Sequence, residues 1–213
     1  MTTNSPSQLE TDNRFVLKFQ GWVQGKTRIA TAWIFAILLA ISAKNLPAIE
    51  GTVFCFLGAC LRYWASGYLR KDSRPAVGGP YAFVRNPLYL GTYFMAIGTA
   101  WSIHAYGLLI VITVVFGAIY HFIIKKEEEK LDTIFGEPYF QYKKLVPRFI
   151  PYSIAALTET GKRQLRAINP DPEAHHFSKA LAKKNKAFEA FASFAGLIGG
   201  CAVISILWSY FQK

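Results

Sequence analysis

Charged residues are scarce in this sequence of 213 amino acids. Asp, Glu, Lys and Arg together make up 17% of it, whereas they make up about a quarter of soluble globular domains. Hydrophobic residues make up 52%, which excludes an intrinsically disordered chain because disorder requires low hydrophobicity. The length suits one domain, with room for a tail. The composition therefore argues against an ordinary soluble domain.

Acidic residues are especially few. The 13 Asp and Glu face 24 Lys and Arg, which gives a formal net charge of +11. In a soluble protein this excess would indicate nucleic acid as a partner, but in an apolar chain it indicates the surface of an anionic membrane. We therefore expect anionic lipid headgroups as partners, and no nucleic acid.

Cysteine, histidine and the common motifs of nucleotide-binding enzymes are also rare or absent. Cys55, Cys60 and Cys201 lie in apolar runs without paired spacing, which argues against a disulfide framework and a zinc site. His175 and His176 are interpreted as a solvated pair in a polar segment, so no metal is expected. The sequence has no P-loop, no GxGxxG motif and no recognisable Ser-His-Asp set.

Five long apolar runs dominate what the sequence does contain. A transmembrane helix needs about 17–25 mostly apolar residues to cross a bilayer. The runs span residues 29–43, 48–68, 88–105, 107–124 and 188–211. We therefore predict an all-α integral membrane protein with about five transmembrane helices. The predicted domains are a membrane core over residues 14–155, a cytoplasmic polar segment over 156–187 and a fifth transmembrane helix over 188–211.

The positive charges predict the orientation of these helices. With five spans, nine Lys and Arg of the short loops lie on the side of the N-terminus, and only Lys44 lies on the other side. Because Lys and Arg are enriched in cytoplasmic loops, we place the N-terminus in the cytoplasm. The third and fourth spans then form an antiparallel hairpin. This hairpin brings residues 81–89 and 125–131 together at the cytoplasmic face.

The first of these two segments combines a helix start with an arginine and two tyrosines. Asn86 and Pro87 are a typical N-cap and first helical residue, and that structural role explains both of them. Arg85, Tyr81 and Tyr89 crowd the same helix start, where free backbone N–H groups and the helix dipole favour an anion. A purely structural role and an anion-binding site are equal alternatives at this point.

The second segment places three consecutive carboxylates where a membrane helix ends. A solvated flank is the usual explanation, but acids at a helix C-terminus oppose the helix dipole, and these also face anionic lipid. This cost indicates a cationic ligand or a proton-transfer role. Adjacent helical residues point in different directions. We therefore expect one of Glu127 and Glu128 to face the site and the other to fix a neighbouring Arg or Lys.

Three further features are interpreted mainly in structural terms. Arg62, inside the second run, is either a functional or pairing residue at membrane depth or a side chain that extends to the interface. Residues 135–151 are interpreted as an interfacial helix, with a lid over the site as the added alternative. Close packing between helices is the simplest role for Gly91, Gly98, Gly196, Gly199 and Gly200.

Taken together, the polar motifs resemble those of one known family. The matching residues, in order and with matching gaps, are Gly79-Pro80-Tyr81, Arg85-Asn86-Pro87-Leu88-Tyr89-Leu90-Gly91, Glu127-Glu128, Phe135-Gly136, Tyr139, Tyr142 and Val146-Pro147-Arg148-Phe149-Ile150-Pro151. From about Arg62 to Pro151, the sequence is similar to the isoprenylcysteine carboxyl methyltransferase and phospholipid methyltransferase family. These are multi-span membrane enzymes that use S-adenosylmethionine. The family often has His where this chain has Asn86, which removes a titratable group.

The resemblance implies roles for individual residues. It implies a cofactor site for S-adenosylmethionine at the cytoplasmic face, lined by Tyr81, Val84, Arg85, Asn86, Pro87, Tyr89, Glu127 and Glu128. It also implies that Arg148 and Tyr142 close the site from the membrane surface. We assign catalysis to Glu128, Arg148 and Glu127, and substrate binding to Arg62 and Tyr142.

The implied chemistry is methyl transfer to a lipid or lipid-linked acceptor. Carboxylates suit the cationic groups of the cofactor, Arg85 suits its carboxylate, and aromatic faces suit its adenine and sulfonium. A carboxylate acceptor needs no base and would be oriented by Arg148, whereas an amine would give a proton to Glu127 or Glu128. The alternatives are an NADPH-dependent enzyme similar to sterol reductases, which usually have more spans, and a non-enzymatic membrane scaffold.

Overall fold

Helices make up the regular structure of the described part of the chain. The computed structural model describes residues 33–70 and 74–212, and within these ranges it has helices and turns but no β-strand. The predicted all-α class is confirmed for these residues. The chain divides into two units after Ile41, and helix α1, Trp33–Ser42, belongs to the first unit except for its last residue. The predicted starts of the first span and of the membrane core lie outside the described residues.

The described residues of the second unit form seven further α-helices. These are α2 (Ile49–Ser66), α3 (Pro87–Ser102), α4 (Tyr106–Phe135), α5 (Glu137–Leu145), α6 (Glu159–Ile168), α7 (Lys179–Lys184) and α8 (Glu189–Phe211). Short 3-10 helices at Gly79–Ala82 and Pro172–His175 shape the segments before α3 and α7. Pro87 is the first residue of α3, as predicted, because its fixed φ is compatible with a helix start.

Two helices of the described residues are long and apolar enough to cross a bilayer, α4 with 30 residues and α8 with 23. The prediction of about five spans is therefore supported only in part. Helix α2 has 18 residues but carries Glu50 and Arg62, and α3 has only 16. The apolar runs overestimated the length of these two helices. Neutral residues at the ends of the runs, such as Gly67 and Ile103, are C-cap residues outside the helices.

Glycines allow the backbones of α2 and α3 to pack in direct contact. A methyl group added at Gly91 would lie 2.7 Å from the carbonyl oxygen of Gly58, and one added at Gly98 would lie 2.4 Å from the nitrogen of Cys55. No side chain fits at these distances. The close-packing role predicted for Gly91 and Gly98 is confirmed.

The same prediction is wrong for the three glycines of α8. No atom of the described residues lies within 4 Å of a methyl group built at Gly196, Gly199 or Gly200. Helix α8 instead buries Cys201 and Ser205, which lie on another face. The glycine spacing alone did not identify the face that this helix presents to its neighbours.

Helices α3 and α4 form the predicted antiparallel hairpin. The connection after Ser102 is short, and His104 adopts a left-handed φ of 57° in it. The Tyr93 hydroxyl lies 3.0 Å from Thr113 Oγ1, and the Tyr89 hydroxyl donates to Glu127 Oε2 at 2.9 Å. Earlier residues of α3 thus contact later residues of α4, so the start of α3 lies beside the polar end of α4.

A small core lies beyond the apolar part of α4. It joins α5, α6 and the segment before α3, and its buried members are Val77, Ala82, Tyr139, Tyr142, Val146, Ala155, Leu165 and Ile168. The predicted helix within residues 135–151 is observed as α5, and its two tyrosines face this core. Its position at a membrane surface stays a prediction. The predicted domain boundaries stay predictions.

Candidate active site

A buried carboxylate holds two arginines from distant parts of the chain. Glu128, on the polar end of α4, is only 5% exposed. Its Oε1 accepts hydrogen bonds from Arg85 Nη2 at 2.8 Å and Nε at 3.0 Å. Its Oε2 accepts from Arg148 Nη2 at 2.7 Å and Nε at 3.1 Å. Burying a carboxylate is costly without such charge-assisted partners. Three predicted site residues therefore meet in what we call the Glu128 cluster.

Arg85 also fastens the segment of residues 143–148, here called the strap. Its Nη1 donates to the carbonyl oxygens of Lys143 at 3.0 Å and Val146 at 2.7 Å, and its backbone N–H donates to Pro147 at 2.8 Å. An arginine side chain has five N–H donors. The two bonds from Nη1 and the two bonds to Glu128 engage four of them. Arg85 therefore has one donor left for the cofactor contact that was predicted for it.

Asn86 occupies the N-cap position of α3, but its side chain does not cap the helix. Its Nδ2 instead donates to the carbonyl oxygen of Arg148 at 3.0 Å, which corrects the expected capping role. The dipole of a helix makes its N-terminal end positive. Asn86 therefore holds the strap at the positive end of α3.

Glu127 points away from the Glu128 cluster, as the geometry of adjacent helical residues predicts. Its carboxylate is exposed and accepts the hydrogen bond from Tyr89. The ring of Tyr89 packs edge to face against Tyr120, with centroids 5.0 Å apart. The prediction that one of the two carboxylates fixes neighbouring basic residues is confirmed for Glu128. That the other one, Glu127, faces the site stays a prediction.

Three predicted site residues lie in the supporting core. Tyr142 is 2% exposed, and its hydroxyl donates to the carbonyl oxygen of Tyr81 at 2.6 Å. Burial raises the pKa of both phenols, and the nearby Glu127 also raises the pKa of Tyr81. Val84 is buried as well. Tyr142 thus supports the turn before α3 from within and does not lie at a membrane-facing opening, which corrects the position predicted for it.

Arg62 lies in the contact between α2 and α3. Its Nη1 donates to the Thr92 hydroxyl, and its side chain packs beside Gly91. Of the two interpretations left open by the sequence, this contact supports the pairing residue. The partner residue, Thr92, lies five residues after Pro87, on the face of α3 that packs against α2.

An aromatic cluster between α3 and α4 was not identified from the sequence. The rings of Phe116 and Tyr120 stack with centroids 3.8 Å apart, and Tyr93 lies 5.1 Å from Phe116. Phe149, just after the strap, lies 6.0 Å from Tyr93. The spacing of four residues from Tyr89 to Tyr93 and from Phe116 to Tyr120 is the signal that predicts such pairs on helix faces.

A cleft of about 300 Å³ opens beside the Glu128 cluster. Its wall carries four cationic side chains, Arg85, Lys143, Lys144 and Arg148. Lys143 is paired with Asp132 at 2.6 Å, whereas Arg148 is 37% exposed on its side chain. The cleft therefore attracts an anionic group.

The sequence of this chain is similar to known proteins of one family and to two curated relatives. Residues 48–138 match a family model described as phospholipid methyltransferase. Over 81 residues the chain is 35% identical to a protein-S-isoprenylcysteine O-methyltransferase of Schizosaccharomyces pombe. This alignment covers 38% of this chain and 34% of that protein. Over 128 residues it is 26% identical to the cobalt-zinc-cadmium resistance protein CzcN of Cupriavidus metallidurans, which covers 60% of this chain and 55% of that protein.

These matches confirm the resemblance that the motifs predicted. The chain spans about a third to about half of the length of these curated relatives. No solved structure gives a significant match. The family match covers residues 48–138, and α4 and α8 are long and apolar enough to cross a bilayer.

Proposed function

We propose, from the premise that residues 48–138 match the phospholipid methyltransferase family, that this protein methylates a lipid or lipid-linked acceptor at the membrane. S-adenosylmethionine is the proposed methyl donor. The observation that carries the proposal is the Glu128 cluster, which joins the start of α3, the end of α4 and the strap. These are the three segments whose motifs resemble the family.

The chemistry of the nearby residues fits S-adenosylmethionine. The positive end of the α3 dipole and the remaining donor of Arg85 suit the carboxylate of its amino-acid group. The exposed carboxylate of Glu127 suits its cationic groups, and the faces of Tyr89 and Tyr120 suit a sulfonium or an adenine. When bound, this cofactor supplies a methyl group on a positively charged sulfur. The protein has to orient the acceptor in line with that methyl group.

Glu128 is assigned a positioning role in this proposal. Both of its oxygens already accept hydrogen bonds from guanidinium groups, so they are engaged within the protein. Glu127 is exposed and accepts a hydrogen bond from the Tyr89 hydroxyl. If the acceptor is an amine, Glu127 is therefore the carboxylate that is able to receive its proton.

The cationic cleft favours a carboxylate as the acceptor. A carboxylate takes up a methyl group without losing a proton, so it needs no base. Arg148 uses Nε and Nη2 on Glu128, and its Nη1 has no hydrogen-bond partner among the described residues. We propose that Arg148 Nη1 orients the acceptor carboxylate, while the apolar body of the acceptor stays in the bilayer.

Methyl transfer by the full-length protein in lipid nanodiscs tests the proposal. Methyl-labelled S-adenosylmethionine and a membrane lipid extract are expected to give a labelled, solvent-extractable product. A methyl ester releases its label in mild alkali, whereas an N-methyl group does not, so this treatment distinguishes the two acceptors. Absence of label with every lipid extract would refute the proposal. Consumption of NADPH would favour the reductase alternative.

Variants of two neighbouring carboxylates separate the roles at the site. At saturating S-adenosylmethionine, Glu127→Gln is expected to lower the rate of N-methylation at least tenfold and to leave the rate of ester formation within about threefold, since only an amine needs the base. Glu129→Gln, an exposed neighbour on the same helix, is the matched control and should resemble the wild type. Equal loss in both variants would contradict the assignment of Glu127.

We also propose that the site faces the cytoplasm. Lys125, Lys126 and Lys130 directly follow the apolar part of α4, and basic residues at this position indicate the cytoplasmic side. A cysteine introduced at Glu129 should react with a membrane-impermeant maleimide in inverted vesicles and stay protected in right-side-out vesicles. The opposite labelling pattern would place the site on the outer face.

A further inference from the structure

A second cavity, of about 310 Å³, lies outside the Glu128 cluster. It shares no lining residue with the cleft beside the strap. Its volume is at the lower end of the roughly 300–1,000 Å³ typical of small-molecule sites. The side chains that define its chemistry are Trp64, Tyr68, Phe83, Lys162, Arg166 and His175.

One wall of this cavity is basic. Lys162 and Arg166 are four residues apart on α6 and therefore lie on the same face of that helix. Glu159 is the acid near them: its carboxylate lies 2.8 Å from Lys162 Nζ. The hydrogen bond and charge of Lys162, with Arg166 as a smaller cause, lower the pKa of Glu159. The Glu159–Lys162 pair is exposed and is held weakly, so Lys162 is available to another anion.

The other wall of the cavity is aromatic and lies at the end of α2. Trp64 and Tyr68 belong to the last turn of α2 and its C-terminal extension, and the indole of Trp64 is 40% exposed. Ala156 also lines the cavity, and its neighbours Ile154 and Leu157 are exposed. Tryptophan at such a position is typical of the membrane–water interface. A ligand that contacts both walls must therefore be amphiphilic.

The cavity is held in place by bonds between distant segments. Asn185 Nδ2 donates to the carbonyl oxygens of Ser66 at 2.9 Å and Leu69 at 2.7 Å, which ties the segment after α7 to the end of α2. Asn169 Nδ2 donates to the carbonyl oxygen of Pro75 at 3.0 Å. His175 is fixed by a 2.7 Å bond between its Nε2 and the Asn169 carbonyl oxygen. The walls are thus preorganised, which lowers the entropic cost of binding.

We propose that this cavity binds the phosphate-bearing headgroup of an anionic phospholipid. Lys162 and Arg166 contact the phosphate, and Trp64 packs against the glycerol and the first carbons of the acyl chains. The exposed Trp64 of the aromatic wall, with Ile154 and Leu157 exposed nearby, favours a lipid over free phosphate. This inference does not depend on the methyl transfer proposed above, because the cavity and the Glu128 cluster share no residue.

Lipid binding to the full-length protein tests this site. Native mass spectrometry in detergent, with phosphatidylglycerol or phosphatidylcholine added, reports the bound lipid. The double variant Lys162→Gln/Arg166→Gln should weaken phosphatidylglycerol binding at least tenfold, about 1.4 kcal/mol. The matched control is Arg163→Gln/Lys179→Gln, which removes the same charge from exposed positions outside the cavity and should bind within about threefold of the wild type. A conservative variant, Lys162→Arg/Arg166→Lys, should bind like the wild type and shows that the fold tolerates changes here.

Three results would overturn the proposal. Equal weakening in the cavity variant and the control would mean a diffuse attraction of the basic surface. Equal binding of phosphatidylglycerol and phosphatidylcholine by the wild type would mean that the charge is not recognised. Displacement of the lipid by inorganic phosphate, with phosphate binding unaffected by Trp64→Ala, would assign the cavity to free phosphate.

Discussion

Replacing Glu128 by alanine should destabilise the folded protein strongly. The change leaves Arg85, whose side chain is only 10% exposed, without its counter-ion. Removing one partner of a buried ion pair typically costs about 3–5 kcal/mol. The bond to Arg148 adds little to this estimate, because that side chain is 37% exposed and exposed pairs contribute about 0–1 kcal/mol. We therefore expect a loss of about 3 kcal/mol in the free energy of unfolding.

Two double-mutant cycles separate the contributions of the arginines. The coupling between Glu128 and Arg85 should exceed about 1.5 kcal/mol, and that between Glu128 and Arg148 should stay below about 1 kcal/mol. The assay is unfolding of the purified protein in mixed micelles by increasing SDS, followed through the loss of helical circular dichroism. This signal does not depend on activity, so it reports stability alone.

Glu129→Ala serves as the control for the stability measurement. Glu129 is exposed on the same helix, so this variant should change the free energy of unfolding by less than about 0.5 kcal/mol. The reasoning is refuted if Glu128→Ala costs less than about 1 kcal/mol, or if both arginines show the same coupling. Either result would mean that the Glu128 cluster is solvated and not a buried link between three segments.

Three further outcomes follow from the packing and burial of named residues. Gly98→Ala should cost about 1–3 kcal/mol, because its methyl group would lie 2.4 Å from the Cys55 nitrogen, whereas Gly117→Ala, with no atom of the described residues within 4 Å, should be neutral or stabilising. Tyr142→Phe should lower the free energy of unfolding by about 1 kcal/mol through loss of the bond to the Tyr81 carbonyl, and Tyr152→Phe, an exposed control, should not; the SDS titration checks both pairs. Burial raises the pKa of Tyr142 in the folded protein, so the unfolded protein releases this proton at a lower pH, near 10. The contribution of the Tyr142 hydroxyl to the free energy of unfolding is therefore complete below about pH 10 and is lost as the pH rises above it. The wild type should lose stability more steeply than Tyr142→Phe above this pH, and parallel curves for the two proteins would contradict the buried position of the hydroxyl.

The meeting of Arg85 with Glu128 could be predicted from the sequence because it follows from local rules. A short neutral connection between two apolar helices produces an antiparallel hairpin, and this hairpin sets the start of α3 against the end of α4. Adjacent carboxylates on a helix must diverge, which predicted the different partners of Glu127 and Glu128. These conclusions needed helix geometry but no knowledge of distant contacts.

The strap could not be predicted from the residues alone because it depends on contacts across about sixty residues of chain. Its position is set by hydrogen bonds from Arg85 and Asn86 to backbone carbonyl groups, and carbonyl groups leave no signature in a sequence. The same reason explains why Asn86 was interpreted as a capping side chain. The amide group suits both roles, and only the folded strap decides between them.

The number of membrane spans in this chain could not be predicted from hydropathy alone. Apolar runs report composition, but a helix ends where its backbone turns, as at Gly67 and Ile103. Helices α2 and α3 pack closely through glycines and are shorter than the runs that contain them. Helices α4 and α8, by contrast, extend through apolar residues that stay exposed, which is the condition for contact with lipid.

Equilibrium binding of S-adenosylmethionine to the full-length protein in nanodiscs tests the central claim most directly. We predict saturable binding that is weakened at least tenfold by Tyr89→Ala, which removes the ring beside Tyr120 and the hydroxyl that holds Glu127, and that is unchanged in Glu129→Gln. Saturable binding of NADPH with none of S-adenosylmethionine, or no saturable binding of either compound, would contradict the account.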